Sequence, residues 1–335
     1  MKLLFLFTGG TIGSTTKGDT ISTDSAKPYL LLEAYRKAYG LNIDYDAAEP
    51  YTSLSENNTG ETLRLLCASV GEYLAKGGYD GIVVTHGTDT LQYSAAALSY
   101  AFADTKIPIC LVSSNFPIED KRANGIKNLH GAIRFITEVG TPGVFVPYKN
   151  RGEALRIHRG TRLLPSTAFS DRVESVCGSY MGTFRDGEPF RPHRGYKEAP
   201  DAIPAFGALD IPCYCREIII LEPYPGKCYP PLSERVRYVL HASYHSGTIN
   251  TEATTTAEFF GEAHSRGITC FLTGAAPGTA YESTALFKEL GIAPLYNLSP
   301  IAAFVKLWFW HLTHPDTPAT QEILLSPLAG DVLPG

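Results

Sequence analysis

No stretch of this chain strings together the roughly 18 apolar residues that a membrane-crossing helix needs. Also missing are an HExxH pair, a Walker-type phosphate loop and a GxGxxG turn, which removes the common signatures of zinc proteases and nucleotide binders. Cysteine is sparse and odd in number: seven residues, scattered from Cys67 to Cys270. Such a set favours reduced thiols over a disulfide framework. Cys213 and Cys215 are one residue apart, which fits no usual zinc spacing even with Cys228 added. His241 and His245 lie in VLHASYHSG, which reads as a strand running into a loop, so they share no helix face. The expectation is no metal and no cofactor. Net charge is −5 and the basic residues are dispersed in sequence, so no nucleic-acid partner is expected. The apolar run within Met1–Phe7 is shorter than a signal-peptide core. It reads as a first strand, and the protein as cytoplasmic with no membrane partner.

With 335 residues the chain exceeds what one hydrophobic core usually serves, so two domains are expected. LLFLF at Leu3–Phe7 suits a buried strand. It breaks into TGGTIGS, Thr8–Ser14, where glycines end the strand and let another backbone come close. Gly81–Thr90, GIVVTHGTDT, repeats that grammar of apolar strand, glycine, hydroxyl and carboxylate. Helical periodicity marks 28–39, 62–76, 91–102 and 125–138, with Asn124 as the cap of the last; further strands are read at 107–112 and 143–146. This alternation implies parallel strands joined by right-handed crossovers. A proline-rich stretch, 185–212, reads as a linker between an N-terminal domain, 1–184, and a C-terminal one, 213–335. The second half restarts with a strand at 217–221. It continues with helix 232–238, strand 239–244, helix 255–266, strand 268–273 and helices 283–290 and 300–312. The fold class is therefore α/β: two doubly wound domains with parallel sheets, the larger first.

Open α/β sheets bind ligands beyond the carboxyl ends of their strands. Thr11 and Thr88 fall at two such ends, and Asp89 adds a fixed carboxylate. Ser55 sits in a polar loop ahead of a helix. A hydroxyl nucleophile needs a group to take its proton and donors for the oxyanion. These residues support amide chemistry without naming a substrate. His86 reads as structural, since no Ser–His–Asp set accompanies it.

The order and spacing of TGGTIGS and GIVVTHGTDT resemble the bacterial-type L-asparaginase (asparaginase/glutaminase) family, cytoplasmic type I. The resemblance continues through SSNFPIEDKRANGIKNL, YPG at 224–226 and SYHSGT at 243–248. It implies conversion of L-asparagine to L-aspartate and ammonia, with glutamine as the other amide, through an acyl-enzyme on Thr11. Thr88 then matches the second catalytic threonine, and Asp89 the holder of the substrate α-amino group. Ser55 matches the holder of the α-carboxylate, with Glu56 where a glutamine is common. Gly10 and Gly87 line the substrate site. The resemblance also implies a homodimer or homotetramer in which Ser246, Thr248 and Glu282 of a neighbouring protomer close the site.

Two positions depart from the family. RGTRLLP, Arg159–Pro165, puts Pro165 where the family carries a lysine that completes a set with Thr88 and Asp89; Lys149 is the nearest lysine in sequence. The lid stretch, Lys17–Ser22, lacks the family's tyrosine, and Tyr29 falls later, within a helix. Two alternatives therefore stand beside asparagine hydrolysis: an amino-acid-binding protein that lost turnover, and a hydrolase of a different small amide.

Overall fold

A computed structural model describes residues 1–9, 14–17, 20–23, 28–40, 43–275, 277–278 and 281–334. The chain forms two compact units, 1–196 with 204–213, and 197–203 with 214–335. The proline-rich stretch carries structure of its own. Its Arg191–Pro192 strand pairs with 182–184, and the amides of Phe206 and Gly207 bond the carbonyls of Tyr100 and Ala101.

The first unit is built on strands β1 (Lys2–Phe7), β4 (Asp44–Ala48), β5 (Gly81–Thr85), β6 (Pro108–Val112) and β7 (Gly143–Tyr148). They alternate with helices α1 (Pro28–Tyr39), α2 (Gly60–Lys76), α3 (Leu91–Ala101) and α4 (Gly125–Arg134). A hairpin, β2 (Ser14–Lys17) with β3 (Thr20–Thr23), follows β1. Strands β8 (Leu155–Arg159), β9 (Gly182–Phe184) and β10 (Arg191–Pro192) complete an eight-stranded sheet, ordered β10-β9-β8-β7-β6-β5-β1-β4. The parallel expectation holds from β4 to β7. Beyond β7 the sheet is mixed, because β8, β9 and β10 fold back as antiparallel hairpins.

Every residue of β5, β6 and β7 is buried, as expected of strands covered on both faces. Leu3, Phe5, Phe7, Val83, Cys110 and Phe145 share a cluster with residues of α1 and α4. Helix α3 packs on the opposite side of β7, where Val144 lies within reach of Gly160 beside Ala95 and Ser99. Helix α2 packs beside α3. Because β1–α1–β4 steps toward one edge and β6–α4–β7 toward the other while α1 and α4 share a face, these two crossovers have opposite hands. The β6–α4–β7 connection is the one that departs from the other three, against the strong right-handed preference.

Helix α4 also begins differently from its sequence pattern. Asn124 occupies the cap position but does not cap: its Oδ1 accepts from the Asn115 amide, and Ser114 Oγ takes the Gly125 amide instead. The helix then widens into one π turn, 135–139.

The second unit is a four-stranded parallel sheet in the order β11 (Ile218–Leu221), β12 (Tyr238–Ala242), β13 (Thr269–Ala275), β14 (Ile292–Tyr296). Helices α5 (Thr254–Ser265), α6 (Glu282–Ala285), α7 (Pro300–Thr313) and α8 (Gln321–Leu325) accompany it. The helix expected at 232–238 is a turn. The amides of Arg237 and Tyr238 are taken by the Glu217 carbonyl, which commits them to the sheet. Lys306, fully buried on α7, donates to Asp331 Oδ2 at 2.7 Å and to the carbonyls of Leu324 and Ser326, tying down the chain after α8.

Candidate active site

The strand order makes β1 the point where the chain reverses direction across the sheet: β4 lies on one side of it and β5 on the other. At such a switch point the loops leaving two adjacent strands part and open a crevice. Here those loops are the one after Phe7 and the one after Thr85, which are themselves paired. Thr8 Oγ1 donates to the Thr85 carbonyl at 2.6 Å, and the Thr8 amide donates to Thr85 Oγ1 at 3.3 Å, so the two strand ends leave the sheet together.

Gly9 brings in a third segment. It adopts φ +90° and forms a parallel bridge with Ser53, whose amide bonds the Thr8 carbonyl. A Cβ on Gly9 would stand 2.5 Å from the Ser53 carbonyl oxygen, so only glycine lets these backbones meet. Two residues on, Ser55 lies buried at the start of a short turn, Ser55–Asn57. Its Oγ donates to Asp89 Oδ2 at 2.9 Å, and the Asp89 amide donates back to the same Oγ at 3.2 Å. Thr90 Oγ1 donates to the Ser55 carbonyl, and Asn58 Nδ2 donates to Thr90 Oγ1.

His86 supports this cluster from below. Its Nδ1 faces the Gly87 carbonyl at 2.8 Å, which can only accept, so Nδ1 carries the proton. Nε2 therefore accepts from Ser94 Oγ at 2.8 Å. Burial lowers its pKa and keeps the ring neutral, fixing the strand end rather than reaching the crevice.

Of the residues read from the sequence, Ser55, Gly87, Thr88 and Asp89 thus come together at one edge. Glu56 is exposed in the turn beside Ser55. Gly10 and Thr11 lie outside the described residues, as do positions 18 and 19 of the lid stretch. Ser246, Thr248 and Glu282 belong to the second unit, at the end of β12 and the start of α6.

Thr88 and Asp89 open onto a cavity of about 390 Å³. Its other walls come from Asn115 after β6, within the SSN stretch of the resemblance, and from residues the motifs did not mark: Gln92 of α3, Tyr148 of β7, and 166–168 and 170–173 of a strap. The strap is pinned at its base. Leu163 bridges Ser175, Tyr148 OH donates to the Asp171 carbonyl, and Asn150 both donates to the Val173 carbonyl and accepts from its amide, each at 3.0 Å. Arg172 is held by Glu153 and Glu174. No lysine lines this cavity among the described residues; Lys149 lines neighbouring grooves instead. Pro165 is exposed at the foot of the strap.

A two-unit α/β fold with a hydroxyl–carboxylate crevice at its switch point is an architecture suited to small-molecule hydrolysis. Residues 2–190 match the family model "Asparaginase, N-terminal". The chain is 35% identical to the L-asparaginase of Thermococcus kodakarensis over 99% of both proteins. It is 26% identical to one component of the glutamyl-tRNA(Gln) amidotransferase of Pyrobaculum aerophilum, over 99% of this chain and 80% of that one. The fold superposes on the solved thermostable L-asparaginase of T. kodakarensis with a TM-score of 0.80 over 100% of both chains, at 23% identity. A probable cytoplasmic L-asparaginase of Campylobacter jejuni superposes with a TM-score of 0.73, over 97% of this chain and 99% of that one, at 21% identity. This chain belongs to the asparaginase family and is an L-asparaginase-like amidohydrolase.

Proposed function

We propose that the protein hydrolyses the side-chain amide of L-asparagine to L-aspartate and ammonia, with Thr11 as nucleophile. The observation that carries this reading is the Ser55–Asp89 pairing. Two residues from separate loops, matched by family resemblance to the holders of the substrate carboxylate and ammonium, meet at the switch point beside Thr88. Asp89 Oδ1 has no partner among the described residues, which suits it to an ammonium; charge-assisted pairs of this kind are strong and directional. In the proposed reaction the Thr11 oxygen adds to the amide carbon and the C–N bond breaks. The proton that left Thr11 departs with the nitrogen as ammonia. Water then cleaves the ester and restores the hydroxyl. The protein acts in the cytoplasm as a homodimer or homotetramer, with Ser246, Thr248 and Glu282 of a neighbour closing the site.

The test is ammonia release from L-asparagine, L-glutamine and D-asparagine, beside the Thr11→Ala variant. Thr11→Ala is expected to abolish release while shifting stability by about 1 kcal/mol or less. Asp89→Asn is expected chiefly to raise KM. Release by Thr11→Ala at the wild-type rate would exclude it as nucleophile. The absence of a lysine from the cavity walls, among the described residues, favours one second reading, a binder without turnover. Aspartate binding by calorimetry with no ammonia from any amide would establish that reading.

A further inference from the structure

The cavity beside Thr88 and Asp89 holds a contact that the asparaginase reading does not use. Gln92, on the first turn of α3, is only 4% exposed. Its Nε2 donates to Ser166 Oγ at 2.6 Å, and its Oε1 is buried without a partner among the described residues. A buried amide that leaves one end unsatisfied carries a desolvation cost and calls for an explanation. Its partner, Ser166, is an exposed strap residue, one position after Pro165. Left alone, an exposed serine side chain samples its rotamers freely; the bond to Gln92 selects one. Both residues line the cavity that Thr88 and Asp89 line.

We propose that Ser166, held in place by Gln92, supplies the proton-relay function that a lysine supplies elsewhere in the family. This rests on the amide-hydrolysis reading above. The polarity of the contact is the reason. Because Ser166 Oγ accepts from Gln92 Nε2, its own proton stays free to be given to the departing nitrogen as it takes one from Thr88. A hydroxyl relay needs no ionisable base. Each member takes up one proton as it gives one away, so neither Thr88 nor Ser166 changes charge. The proton lost by the attacking hydroxyl ends on the departing nitrogen. The strap geometry serves the same end: Asn150 and Tyr148 fix residues 171–173, and Gln92 fixes 166, so the strap is held on both sides of its turn. Gln92 is the positioning residue and Ser166 the relay.

The experiment is steady-state kinetics on the full chain with L-asparagine, with aspartate affinity by calorimetry and a kcat–pH profile for each variant. A positioned proton carrier is worth about 10²-fold or more, so Ser166→Ala should lower kcat by roughly that factor. KM and aspartate affinity should stay within about twofold, since the loss is confined to the transition state. Gln92→Met should act in the same direction with a smaller effect. Ser166→Cys should remain active and show a new limb in the kcat–pH profile near the thiol pKa, about 8.5, which a merely structural serine would not produce. Pro165→Lys should change kcat less than about threefold, because no proton carrier is missing. Ser166→Ala at full kcat overturns the proposal. So does a tenfold or greater gain from Pro165→Lys, which would mean that the lysine's place stands empty. If Gln92→Met fails to fold, the exposed Ser166 variants still decide. Wild-type protein that releases no ammonia overturns both this proposal and the amidase reading. Wild-type activity with an indifferent Ser166→Ala overturns this one alone.

Discussion

Gly9 shapes the crevice through its backbone alone. It has no side chain to contribute, yet its φ of +90° and its approach to Ser53 bring the Ser55 turn to Asp89. Gly9→Ala would place a methyl group against a backbone carbonyl on one side and force a left-handed residue on the other. Neither neighbour is the end of a flexible side chain, so relief requires moving β1 or the Ser53 segment. A loss of about 2–3 kcal/mol is expected, read as a lower urea midpoint at unchanged slope. The Ser55–Asp89 pair should separate with it, so KM for asparagine should rise more than kcat falls. A variant with wild-type stability and KM would show that the Gly9–Ser53 contact is dispensable.

Among the elements, the strap from 163 to 175 has no strand or helix of its own and is anchored by named side chains. Asn150 stands in for a neighbouring strand, offering Val173 one donor and one acceptor in place of a ladder. Asn150→Ala leaves two backbone groups of a buried residue without partners. The cost should be about 2–4 kcal/mol, with faster proteolytic nicking between 165 and 171; unchanged cleavage would refute the anchoring role. Such elements also mark the limit of sequence reading. Strands β1, β5 and β6 were legible because a strand buried on both faces must be apolar throughout, and the glycines after β1 and β5 pointed to the crevice. Ser55 and Asp89 were legible one at a time. Their meeting was not, because it depends on the Gly9–Ser53 bridge between segments with no local pattern in common. The hand of β6–α4–β7 leaves no trace in periodicity. The residues at 232–238 looked helical until Glu217, distant in sequence, claimed their amides. Gln92 belongs to no motif, and only the fold sets it against Ser166.

For the whole molecule, acid is the condition to watch. His158 on β8 is fully buried, with Nδ1 on Ser175 Oγ at 2.7 Å and Nε2 unpartnered among the described residues. Burial first, and the charge of Arg156 second, hold its pKa down to about 3. The unfolded chain regains the ordinary value of about 6.5 and so binds a proton that the folded one refuses. Stability from this site is therefore complete above about pH 6.5 and declines as pH falls toward about 3. His86, His130 and His241 are also lowered by burial and act in the same direction. The urea midpoint is expected to fall between pH 7 and pH 5, and His158→Gln to reduce that slope by up to about one proton. A slope unaltered in that variant would assign the acid sensitivity elsewhere.

The position of β1 between β4 and β5 also has a temporal side. Leu3 pairs with Tyr45 on one flank and with Gly81 on the other, so β1 gains its second neighbour only once β5 has been made. At synthesis rates of about 5–20 residues per second, LLFLF waits several seconds beyond the ribosome before its second neighbour exists. A short, uncharged, β-prone segment left unpaired for that time is a seed for intermolecular strand pairing. Long-range closure of this kind is slow in itself. Soluble yield is thus expected to depend on how long β1 stays open on the side that β5 later covers, a race between translation and self-association run before the crevice exists.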